Sequence, residues 1–222
     1  MNEKIDVLGI EINNYTAKEA MQRVVEYMKK DSLQVISSVT PESVKNLSEY
    51  PESKGEMENY EIVFPGNKVL LEAAEVKDKQ LLKEAEEQTF VKLFVRFLHK
   101  NEKKVFLLAE TDALRTEMQE YITSKFSKIK IVGAATFEEH GNSEDMMVNS
   151  INSVEVDCVI AALSSPLQEE FISKYRVALN VKVWFGLGTK FGKKNKGIHL
   201  RKINDFFERR VLKKEIENVK KI

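Results

Sequence analysis

The stretch from Val105 to Phe185 constrains this chain most. Short apolar runs at Val105-Phe106-Leu107-Leu108, Ile129 to Val132, Asp157 to Leu163 and Val181 to Phe185 alternate with helical patterns over Ala113 to Phe126, Ser143 to Ile151 and Pro166 to Leu179. A β-α-β-α-β-α-β order of this kind is satisfied by parallel strands joined through right-handed crossovers. The runs are apolar throughout rather than alternating, as in strands covered by helices on both faces. The expectation is an α/β fold, a Rossmann-like parallel sheet flanked by helices. Ligands of open parallel sheets bind beyond the carboxyl ends of the strands, so function is sought at the polar tips that follow them.

The N-terminal half supplies the remaining strands. Ile5 to Ile12 reads as a strand or hairpin arm, and Thr16 with Glu19 forms a capping box for a helix carrying Ala20, Val24, Tyr27 and Met28. Leu33 to Ile36 reads as a strand ending in Ser37-Ser38-Val39-Thr40-Pro41, with a helix near Glu42 to Leu47. Tyr60 to Phe64 is a strand closed by the turn signal Pro65-Gly66-Asn67. Lys77 to Lys100 has the period of one long charged helix. Its face of Phe90, Phe94 and Leu98 suits a homo-oligomer interface as well as a core. From Lys190 the chain changes character, with a basic loop Gly192 to Gly197 and a basic helix Ile203 to Ile222 bearing Phe206, Phe207, Val211, Ile216 and Val219. The division expected is an α/β domain over 1–189 and a basic C-terminal loop and helix over 190–222.

Charge and cysteine usage narrow the class. Lys plus Arg and Asp plus Glu each number 35, and this balance argues against a general nucleic-acid binder. Cys158 is the single cysteine, so no internal disulfide forms; inside its apolar run it reads as a small buried hydrophobe rather than a nucleophile. His99, His140 and His199 are scattered, which leaves no metal-ligand pattern, and no cofactor is expected. The N-terminus lacks a signal-peptide core, and no run approaches the roughly 18 apolar residues of a membrane span. A cytoplasmic protein is expected, with its basic tail able to face anionic lipid.

Four strand tips carry candidate chemistry. Ser164-Ser165-Pro166-Leu167-Gln168-Glu169 starts a helix whose free N–H groups suit a diphosphate, with Ser165 as N-cap and Gln168 offering donor and acceptor to a sugar hydroxyl. Simple capping by Ser165 and Glu169 is the competing reading. Gly186-Leu187-Gly188-Thr189-Lys190 allows close backbone approach to a ligand with Lys190 meeting a phosphate, or forms a plain tight turn. Ser38 and Thr40 cluster hydroxyls at another tip, or cap the next helix. Gly66 and Asn67 tolerate positive φ but supply no general base.

In this order the pieces resemble one family. Val7-Leu8-Gly9-Ile10 with Thr16 to Ala20 looks like its opening strand and helix, and Val39-Thr40-Pro41-Glu42 resembles its T-x-N-P-E segment. Ile62 to Asn67 lies where it has a strand ending in P-D-G. Lys104 to Leu108 and Ile131-Val132-Gly133 resemble its central strands. Leu163 to Glu169 is similar to its G-S-P-x-Q-E signature, and Gly186-Leu187-Gly188 to the G-V-G that follows. The family is WecG/TagA/CpsF, and the resemblance covers nearly the whole chain.

The resemblance implies an inverting, metal-independent transfer of a hexosamine of N-acetylmannosamine type. The donor would be a UDP-sugar and the acceptor a polyprenyl-diphosphate-linked molecule at the membrane surface, in cell-wall or surface polysaccharide synthesis. It also implies a substrate-binding set of Ser38, Thr40, Asn67, Ser165, Gln168, Glu169, Gly186, Gly188, Lys190 and Arg210.

Several positions depart from the family pattern. The P-D-G aspartate, the family's presumed base, falls on Gly66, which leaves Glu169 as a substitute or no base at all. The threonine of T-x-N-P falls on Ser38 and its asparagine on Thr40. A family arginine falls near Glu84, and a glycine pair is replaced by Ala109-Glu110. Phe207 and Arg210 stand near an aromatic and an arginine of the family's tail. The alternative is a non-catalytic nucleotide-sugar-binding or interaction protein.

Overall fold

The computed structural model describes residues 4–139, 141, 143–189 and 208–217. Its centre is a six-stranded parallel sheet ordered β4-β3-β8-β7-β5-β6. The strands are β3 (Gln34–Val39), β4 (Ile62–Pro65), β5 (Lys104–Ala109), β6 (Lys130–Thr136), β7 (Val156–Ala162) and β8 (Val181–Gly186). A small antiparallel hairpin, β1 (Lys4–Val7) with β2 (Ile10–Asn13), lies against the β4 edge, where Asn13 Oδ1 accepts the Val63 N–H at 2.7 Å.

Each strand sends alternate side chains to opposite faces, and both faces are apolar. Phe106 and Leu108 join one core with Val159, Trp184, the hairpin and the helices α2 (Pro41–Leu47), α4 (Lys68–Ala73), α8 (Glu144–Asn152) and α9 (Leu167–Tyr175). Val105, Leu107 and Ala109 join the other with Cys158, Phe185 and the helices α1 (Ala17–Tyr27), α6 (Thr89–Lys100) and α7 (Asp112–Lys125). Two-sided cover is the physical reason the strands lack polar alternation.

Several expectations need correction. The long pattern over Lys77 to Lys100 is two helices, α5 (Lys79–Glu87) and α6, broken where Gln88 adopts a left-handed φ of 52°. The break lets Phe90, Val91, Phe94, Val95 and Leu98 turn onto the sheet, while α5, with only Ala85 buried, stays outside. Phe94 stacks on Phe185 at a centroid distance of 3.9 Å, so this face serves the core. Strand β6 runs on through Gly133-Ala134-Ala135 to Thr136, paired with β5, beyond the end expected at Val132. The helices α3 (Pro51–Glu56) and α4, absent from the sequence reading, fill the connections on either side of β4. Of the expected tail helix, residues 208–217 are described and helical, and Leu212 is buried in the core. Lys190, the loop Gly192 to Gly197, Phe206 and Phe207 lie outside the described residues.

Candidate functional site

The tips of β3, β7 and β8 come together around a small cleft partly open to solvent. Its walls carry the hydroxyls of Ser38, Thr40, Ser43, Ser164, Ser165 and Thr189, with Glu42, Asn46, Gln168 and Gly188. The fold therefore brings together Ser38, Thr40, Ser165, Gln168 and Gly188 from the candidate set. Asn67 and Arg210 sit to one side, and Lys190 lies outside the described residues.

The β3 tip is built by capping. Thr40 closes a capping box with Ser43 at the start of α2, where Pro41 occupies the first turn. Ser38 Oγ is buried without a hydrogen-bond partner among the described residues.

The start of α9 differs from the expectation. Ser165 is not the N-cap: that position is held by Pro166, after a cis Ser165–Pro166 peptide bond, and the Ser165 hydroxyl donates to Glu169 Oε1 at 3.2 Å. Gln168 is buried rather than displayed. Its Nε2 donates to Ser37 Oγ at 2.8 Å, and its Oε1 accepts from Trp184 Nε1 at 3.2 Å. The close approach that Gly186 allows is to this amide. A Cβ at Gly186 would stand 2.1 Å from Gln168 Oε1, so glycine there makes room for the chain's own glutamine. Gly188, at φ 67°, faces open space.

Glu169 is 1% exposed. Burial pushes its carboxyl up to about 7, against the lowering pull of its own backbone N–H and of the Ser165 and Gln168 side chains. Its Oε2 has no partner among the described residues, and neither does the buried Tyr60 hydroxyl, whose pKa burial and then the Glu169 charge lift well above normal.

The β4 tip has no carboxylate. Gly66 packs so tightly that an added Cβ would meet Thr40 Cγ2 at 2.9 Å and the Val39 carbonyl oxygen at 3.0 Å. Asn67 caps α4 through Leu70 N–H, and its Nδ2 donates to Glu208 at 2.6 Å. The helical segment 208–217 is fastened further by Arg209 to Glu72 at 2.5 Å and by Ser48 to Glu215 at 3.4 Å. Arg210 is exposed on it.

Sequence reasoning missed several partners. Glu110, noted only as a replaced glycine, accepts the Ser164 backbone N–H at 2.6 Å and the Ser164 hydroxyl. Asn46 Nδ2 donates to the Ser165 carbonyl at 3.0 Å, tying α2 to the loop before α9. Glu84 accepts the Ala17 N–H at 2.6 Å, which fixes the start of α1. His99 Nδ1 accepts the Lys128 N–H at 3.2 Å. Cys158 is fully buried and its thiol is pushed up by burial, the behaviour of a core hydrophobe. Among the described residues, no group of three His, Cys, Asp or Glu stands together as a metal site, and no helix is long and apolar enough to cross a membrane.

A family model described as "Glycosyl transferase WecG/TagA/CpsF family" matches residues 5–192. No curated protein matches the chain.

Proposed function

The chain belongs to the WecG/TagA/CpsF family of glycosyltransferases, and from that premise we propose that it keeps the family's donor-binding framework without catalysing sugar transfer, as a nucleotide-sugar-binding or interaction protein. One observation carries this reading. At the tip of β4, where the resemblance implies a catalytic aspartate, stands Gly66, and the packing of Thr40 and the Val39 carbonyl leaves no space for a Cβ. Inverting transfer draws a proton from the acceptor hydroxyl, and a positioned base contributes about 10²–10⁴-fold to such a step. Of the other carboxylates near the cleft, Glu110 holds Ser164, Glu169 is sealed beneath the cleft wall, and Glu42 lines the cleft in the first turn of α2. Beside Glu42, the cleft offers mainly hydroxyls and amides, groups suited to holding a sugar.

A thermal-shift titration of the full chain with UDP, UDP-N-acetylglucosamine and UDP-N-acetylmannosamine tests the binding half of this reading. A ligand that binds only the folded state raises apparent stability by RT ln(1 + [L]/Kd). The nucleotide-sugar reading predicts a saturable rise that Ser38→Ala reduces. A flat response with all three would leave a protein partner as the function.

A second reading is favoured by Glu169. A carboxyl raised to about 7, with one oxygen unpartnered among the described residues, has the proton affinity of a general base near neutral pH. If the loop before α9 opened, Glu169 would serve the transfer of an N-acetylmannosamine-type hexosamine from UDP to a polyprenyl-diphosphate-linked acceptor at the membrane surface, in cell-wall or surface polysaccharide synthesis. That reading requires product formation that is lost in Glu169→Gln.

A further inference from the structure

Three observations meet at the tips of β5 and β7. First, the Glu110 carboxylate oxygen Oε1 collects two donors of Ser164, the backbone N–H at 2.6 Å and the hydroxyl. Second, Ser164 and Ser165 line the cleft, and across it Ser38 Oγ is buried with no partner among the described residues. Third, the Glu110 backbone is held by Ala162 and Glu138, at 3.2 and 3.0 Å, so the side chain can leave Ser164 by torsion while the strand tip stays in place. Among the described residues no cation pairs with Glu110.

A carboxylate oxygen and a phosphoryl oxygen make the same demand on an N–H and an O–H donor. The place beyond adjacent strand tips of a parallel sheet is also where an anionic ligand is expected. We propose that Glu110 is a built-in stand-in for a ligand anion. It fills the slot at Ser164 that would otherwise take a phosphoryl oxygen of a nucleoside diphosphate sugar, and it holds the protein's affinity for such ligands down. The slot opens when the Glu110 side chain swings away, and Ser38 then donates to the incoming ligand. This inference rests on the reading of the cleft as a donor site.

The test compares wild type, Glu110→Ala and Glu110→Gln by calorimetry and thermal shift, with inorganic pyrophosphate, UDP and uridine as probes. Pyrophosphate and UDP should bind Glu110→Ala about tenfold tighter than wild type, because one competing charged acceptor is gone. Uridine, which carries no phosphate, should bind all three proteins alike. Adding Ser38→Ala to Glu110→Ala should take back part of the gain. A Glu110→Ala protein that melts cooperatively yet binds pyrophosphate and UDP no more tightly than wild type overturns the proposal. If that variant does not fold, Glu110→Gln is read the same way, since it keeps the shape and drops the charge. Sugar transfer by the wild type would end the non-catalytic reading and leave this result standing. Absence of any gain would end this inference and leave the non-catalytic reading standing.

Discussion

The wall formed by the β7–β8 tips and the wall formed beside the cleft by the β3–β4 tips are closed by different means. The β7–β8 wall closes through a network that also takes in β3: Gln168 bonds Trp184 and Ser37, Gly186 makes room for its amide, and Glu169 is buried beside them. The β3–β4 wall closes on the far end of the chain. Gly66 leaves no side chain to present, and Asn67 is engaged by Glu208, which is 141 residues away in sequence. The first wall carries the side chains that resemble the family signature, Gln168 and Glu169, and both are buried. In the second, Gly66 stands where the resemblance implies an aspartate, and Thr40 and the Val39 carbonyl pack against it. On the proposed reading an enzyme scaffold loses function either by absorbing a polar group into the core or by deleting it, and the two leave different energetic signatures.

The largest effect should come from Glu169. The group ionises near 4.5 in the unfolded chain and near 7 in the folded one. Between those values the folded state holds a proton that the unfolded state has lost, so stability falls as pH rises from 4.5 to 7 and is level above. Glu169→Gln should remove that slope and gain roughly 3 kcal/mol at pH 8 relative to wild type, as read by urea denaturation across the range. Parallel curves for the two proteins would mean that the carboxyl is not sealed.

Gly186→Ala should cost about 2 kcal/mol by overpacking against Gln168, measured as a lower urea midpoint at unchanged slope. Combining it with Gln168→Ala should recover part of that loss, because the two changes share one contact. On the other wall, Gly66→Asp should cost about 1.5 kcal/mol in the same measurement, since Thr40 and Val39 must move to admit any Cβ. The smallest effect belongs to Asn67→Ala, about 1 kcal/mol from the lost cap of α4. It should also raise hydrogen exchange in the helix at 208–217, because Glu208 loses its partner. If the β4-side changes cost as much as those on the β7 side, the contrast between an interlocked wall and an emptied one fails.

The fold was legible because its signals are local. Four apolar runs between Val105 and Phe185 separated by helical periods leave few arrangements besides a parallel sheet, and the capping box at Thr16 could be read from residues three apart. The site was legible only as a set of tips. Gln168 read as an exposed polar group at a helix start. Its burial depends on an indole donor from Trp184, a hydroxyl from Ser37 and the missing side chain of Gly186, contributed by two other strands. The signal was present in part, since a buried Trp needs a partner for its N–H, but nothing local said which. Glu110 reaches 54 residues to Ser164, and a replaced glycine alone did not reveal that its substitute would occupy the site. The break at Gln88 was hidden because charged α5 and apolar α6 share one helical period.

The most direct test of the central claim is sugar transfer itself. The full chain would be incubated with labelled UDP-N-acetylmannosamine and, separately, UDP-N-acetylglucosamine, each with a polyprenyl-diphosphate-linked acceptor in lipid vesicles. Label reaching the lipid would then be counted against a no-protein control. The account predicts label at the level of the control. Time-dependent, protein-dependent labelling of the lipid by the wild type, with Gly66 in place, would contradict it.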